Sequence, residues 1–99
     1  MKILEKEFTP KYGLRAMFAF EEMTGKPFEI STLLDTYCFC YACLIANKDN
    51  PALDFNEFID YCDEHPEVIN WFNEYMTIEN KRRSATIDTK KKVTRKAKA

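Results

Sequence analysis

Glycine, histidine and serine are scarce in this 99-residue chain: it has Gly13 and Gly25, a single His65, and Ser31 and Ser84. Each scarcity removes a class of function. Two glycines cannot build a glycine-rich phosphate loop, a dinucleotide fingerprint or a nucleophile elbow. One histidine leaves no pair for a metal or a proton relay. Neither serine has a base to activate it: Ser31 is read as a helix cap and Ser84 as part of the tail. Long apolar runs are also missing. The longest uncharged stretch, Thr36–Asn47, is far short of the roughly 20 residues that cross a bilayer. The start, MKILEKEF, carries charges where the apolar core of a signal peptide would lie. The expectation is a cytoplasmic protein without a membrane segment, whose four cysteines are reduced thiols.

What remains is aromatic and charged. Fourteen aromatics are too many for the core of one small domain, so several are expected at the surface, where they suit a partner. Charge is sorted by position. Residues 1–80 hold six Lys and Arg against fifteen Asp and Glu, a net of −9; residues 81–99 hold nine against Asp88 alone, a net of +8. The division expected is an acidic helical domain over 1–84 and a basic tail over 85–99. The tail's only large apolar residues are Ile87 and Val93. It cannot recover its ordering entropy and is expected to be disordered.

Few glycines and four prolines favour long regular elements. The periodicity predicts an all-α domain of about four helices, orthogonal or bundle-like, behind an extended N-terminal arm or edge strand ending at Pro10. The first helix covers Leu14–Thr24 and is closed by Gly25. It has two apolar faces, one with Leu14, Met17 and Phe18, the other with Ala16, Phe20 and Met23. The second face is taken as the wall of a partner groove. The second helix, about Thr32–Asn47 with Ser31 as its cap, is apolar all round and is read as the central, most buried one. Asp54 caps a third, with Glu57 completing the spacing of a capping box. Pro66 suits the first turn of a last helix running to about Arg83, whose core stripe is Val68, Trp71, Phe72, Tyr75 and Ile78.

Cys38, Cys40, Cys43 and Cys62 invite a zinc site. On one helix, however, Cys38 and Cys40 point about 200° apart, so four thiolates cannot converge. Buried thiols among aromatics are expected, with no metal and no other cofactor. Leu53–Glu64 echoes the exit of a calcium loop, but Lys48 and Pro51 fall where an oxygen ligand and a glycine are required. Paired carboxylates such as Glu21 and Glu22 lack a second catalytic group and read as solvated faces. No catalytic constellation appears, and the chain is expected not to be an enzyme. The tail residues Lys90, Lys91, Lys92, Arg95, Lys96 and Lys98 could bind a polyanion by counterion release, or dock on an acidic surface. The acidic domain would repel a phosphate backbone nearby, so nucleic-acid binding is the weaker alternative, and a regulatory interaction protein is a further one.

Lys11–Ile30 (KYGLRAMFAFEEMTGKPFEI), the cysteine-rich helix and LDFNEFIDYCDEHPEVINWF together resemble the small tail assembly chaperones of tailed phages and prophages, over about residues 1–78. The Arg15–Lys26 segment, a helix ended by T-G-K-P, carries most of the likeness. The resemblance implies a small, acidic, mostly helical protein that binds the aggregation-prone tape measure protein and helps tail tube protein assemble around it. It also implies no enzymatic activity, and in many such phages a longer form made by ribosomal frameshifting. No binding residue transfers from it. The groove residues Ala16, Phe20 and Met23 rest on azimuth alone.

Overall fold

In the computed structural model, residues 1–83 are described in full and 84–98 only as the backbone continuation of the last helix. The elements are β1 (Lys2–Ile3), β2 (Lys6–Glu7), α1 (Leu14–Thr24), α2 (Leu33–Ala46), α3 (Phe55–Glu64) and α4 (Glu67–Lys98). The fold is all-α, with four helices and one two-stranded hairpin among the described residues. The last helix continues past its expected end near Arg83, to Lys98; the expected disorder of 85–99 and the roles given to the tail's basic residues lie outside the fully described residues.

The expected arm is this hairpin. Ile3 pairs with Lys6 across a two-residue turn, and Ile3 and Phe8 are buried in the core. Such a turn needs positive φ at both central positions, normally supplied by Asn-Gly. Here Leu4 and Glu5 supply it, at φ 52° and 65°. The segment after the hairpin is clasped to the end of α2. Asn50 donates to Thr9 O and Leu44 O, both at 2.8 Å, while Lys11 N donates to Cys43 O at 3.0 Å. Two carbonyls that the last turn of α2 leaves unpaired are thereby satisfied.

The core is aromatic, with Phe39 of α2 at its centre. Around it lie Tyr12, Phe20, Phe28 and Phe72, with ring centroids 4.9–6.1 Å away in tilted or edge-on contact. Such pairs add about 0.5–1.5 kcal/mol each beyond the area they bury. α4 is tied to the chain's beginning through Tyr12. Its N–H donates to Tyr75 Oη at 2.9 Å, and Arg83 donates to its carbonyl at 3.1 Å with the guanidinium carbon 4.3 Å above its ring. In the expected stripe of α4, Val68 and Phe72 are buried and Trp71 and Tyr75 are half-buried, whereas Ile78 is exposed. The Trp71 ring therefore covers the core edge instead of filling its centre.

α1 reverses the face assignment made from azimuth. Ala16 and Phe20 are fully buried, while Leu14 and Phe18 stand 66% and 57% exposed. The reason lies beyond the helix. Gly25, at φ 68°, closes α1 through its N–H to Glu21 O. The chain then doubles back and brings Phe28 edge-on to Phe20 at 5.3 Å. A periodic helix defines its stripes, but the aromatic returning from the following loop selects the one that is buried. Ala16 and Phe20 are thus core residues and cannot line a partner groove; Met23 alone of the three reaches the surface.

Candidate functional site

The start of α2 is held in place by one carboxylate. Asp35 is 2% exposed, and four donors converge on its Oδ2: Lys26 Nζ at 2.9 Å, Ser31 N at 3.0 Å, Ser31 Oγ at 3.1 Å and Thr32 N at 3.2 Å. Thr32 Oγ1 accepts from Asp35 N in return, so the capping box belongs to Thr32 and Asp35. Ser31, expected as the cap, instead donates to the same carboxylate, because the helix begins one residue later than its sequence signal. The Lys26 ammonium, the donors at Ser31 and that at Thr32 hold the Asp35 carboxyl well below the usual carboxylate range. At α3 the expected cap is found, with Glu57 N donating to Asp54 Oδ2 at 3.1 Å.

This anchored turn presents apolar side chains to solvent. Leu33 and Leu34 are 74% and 63% exposed, although the uniformly apolar sequence of α2 had marked it as the buried helix. From Cys38 onward most of the helix is buried, namely Cys38, Phe39, Cys40, Ala42, Cys43, Leu44 and Ala46, while Tyr41 is half-buried and Ile45 is 43% exposed. Leu34 separates two depressions. One, of about 690 Å³, is walled by Met23, Leu34, Cys38, Tyr41 and Phe55, with Lys26 and Asp35 at its edge. The other, of about 460 Å³, lies between α2 and α3 and is walled by Leu33, Leu34, Tyr37, Ile59 and Cys62, with Asp60 and Asp63 beside it.

The walls are braced from beneath. Tyr41 donates to Leu53 O at 2.6 Å and meets Phe55 edge-on at 5.1 Å and Phe58 at 5.8 Å. Phe58 is fully buried and fixes α3 against α2. The surface is therefore set on rigid helices instead of loops, which favours a defined partner geometry.

The cysteines beside this surface are not set up as nucleophiles. All four cysteines are free and buried. Burial pushes the Cys43 thiol up to about 12 and the Cys62 thiol up to about 11, the opposite of what an attacking thiolate requires. Tyr37 is raised chiefly by burial, and further by Cys62, Cys40 and Asp63. The His65 ring is stacked on Tyr61 at 4.0 Å and paired with Glu67 at 3.0 Å. Among the described residues, no group of three or more His, Cys, Asp or Glu is arranged to hold a metal ion. No helix searched among them is long and apolar enough to cross a membrane. The chemistry the surface offers is apolar contact beside carboxylates.

Of the three expected groove residues, only Met23 belongs to this surface. Leu33, Leu34 and Tyr37 were missed because a continuous apolar sequence reads as burial, and Phe55 and Ile59 because they share the apolar stripe of α3 with the buried Phe58 and Cys62. The available signal was the Leu33–Leu34 doublet directly after the cap, where two neighbours 100° apart in the first turn have no preceding turn to pack on. The chain matches no family model, no curated protein and no solved structure.

Proposed function

We propose that this protein is a binding module, specifically a tail assembly chaperone of a tailed phage or prophage that holds the apolar face of a tape measure protein until tail tube protein assembles around it. The particular partner comes from the resemblance of Arg15–Lys26 and the helices that follow. The observation that carries the binding role is the exposed Leu33–Leu34 ridge with its two flanking depressions. A small domain that leaves two leucines more than half exposed on an anchored helix start forgoes burial worth about 1.5–3 kcal/mol for each, which a binding surface recovers in its complex. A long helix with an apolar stripe is the partner shape such a surface accepts.

The test is co-expression with the tape measure protein of the same phage or prophage. The expected result is that the tape measure protein stays soluble and elutes together with this chain, and aggregates without it. Equal aggregation in both cases, with no co-elution, would remove the chaperone reading.

A further inference from the structure

The charges bordering the Leu33–Leu34 surface are not symmetric, and this specifies the occupant further than shape does. The depression between α2 and α3 has two carboxylates on its border, Asp60 and Asp63, both exposed. No cation lines it. On the same helix Glu57 and Glu64 are also exposed, so the outer face of α3 is uniformly negative beside the apolar wall of Ile59 and Cys62. Among the described residues the other depression has a single cation at its edge, Lys26, whose ammonium is already paired with Asp35 at 2.9 Å. One side of the ridge thus carries free negative charge, and the other is electrically balanced.

We infer that this surface takes an amphipathic helix whose apolar stripe is bordered by Lys or Arg on one side, with those cations over Asp60 and Asp63 and the stripe straddling Leu34. The inference rests on the binding reading above and adds to it the charge and orientation of the partner. Apolar side chains entering the two depressions supply most of the affinity, as buried anchors do. The carboxylates fix which side of the helix faces α3 and hasten encounter, which is what complementary charge at the rim of an interface does. An acidic helix of the same shape is repelled by Asp60 and Asp63 and has only the already-paired Lys26 to meet it.

The probes are two synthetic helical peptides with the same leucine stripe at i, i+3, i+4 and i+7, one flanked by lysines and one by glutamates, titrated into the full chain. The lysine peptide should bind about tenfold or more tightly than its twin at low salt, and the gap should narrow as salt rises. Asp60→Lys/Asp63→Lys should invert the preference. Leu34→Glu should weaken binding of the lysine peptide about thirtyfold or more, with an unchanged melting curve. Equal binding of both peptides, undisturbed by the aspartate substitutions, overturns the inference while leaving the chaperone reading standing. The converse case is the lysine peptide behaving as stated while the tape measure protein fails to co-elute; that sinks the chaperone reading alone. Two other occupants have distinct signatures. A concentration-dependent dimer abolished by Leu34→Glu assigns the surface to a second copy. NMR shifts at Leu33–Tyr37 and Asp60–Asp63 on Lys90→Glu/Lys91→Glu/Lys92→Glu, with no peptide present, assign it to the chain's own basic segment. Either result overturns the inference.

Discussion

Asp35 is the residue on which the start of α2 depends, and its protonation sets a pH dependence of known sign. Its folded-state pKa lies below the usual 3.8, so the stability it contributes is fully present above that value and is lost as the pH falls below it. Asp35→Asn should therefore melt earlier than the wild type at neutral pH. The gap should close as the pH is taken well under 3.8; a gap that stays constant across that range would show that the charge is not what matters. The cysteines give a second expectation at this scale. Cys43, fully buried and raised to about 12 by burial, should react with a thiol reagent only when the fold opens. Mass spectrometry should find it unlabelled in native buffer and fully labelled in denaturant. Rapid native labelling would place it at the surface. A third expectation concerns Glu5, exposed and held at φ 65° in the hairpin turn. Such a backbone costs a non-glycine residue of order 1 kcal/mol. Asparagine tolerates it better, so Glu5→Asn should raise the melting temperature by a few degrees. A lower one would mean that the Glu5 side chain contributes more than its backbone costs.

Among the elements, α1 and α2 separate what a sequence pattern can specify from what it cannot. Helix existence and several ends were legible, because periodicity, Gly25 after α1 and Asp54 before α3 are local signals. Which face of α1 is buried was not legible. Ala16, Phe20 and Met23 form as good a stripe as Leu14, Met17 and Phe18, and the choice between them is made by Phe28, eight residues beyond Phe20 and outside the helix. For α2 the difficulty was the opposite, since an element apolar on all sides carries no contrast from which to read its exposed end. The clasp of Thr9 by Asn50, 41 residues away, had no sequence signal at all. A paired comparison follows from this geometry. Phe20→Ala should destabilise the fold by about 3–5 kcal/mol, as removal of a buried aromatic does. Leu34→Glu should change stability by no more than about 0.5 kcal/mol, as surface substitutions do. Urea unfolding of both variants checks the pair; similar losses in the two would place Leu34 in the core.

At the scale of the whole molecule, the charge sorting and the fold combine into one design. An aromatic core centred on Phe39 fixes α1, α2 and α4, and leaves the first turn of α2 and the outer face of α3 as the apolar and acidic parts of a single surface. The acidic excess of residues 1–80 was visible in the sequence, but its placement beside exposed leucines needed the packing of α3 on α2. The central claim is that partner binding resides at Leu33–Leu34 and not on the Ala16–Phe20 face of α1. The most direct measurement is co-elution of the tape measure protein with full-length Leu34→Glu protein, after circular dichroism has established that the variant melts like the wild type. Loss of co-elution from a fully folded variant is the predicted result. Undiminished co-elution would contradict the claim and move the binding surface elsewhere, with the exposed Leu14–Phe18 ridge of α1 the next place to test.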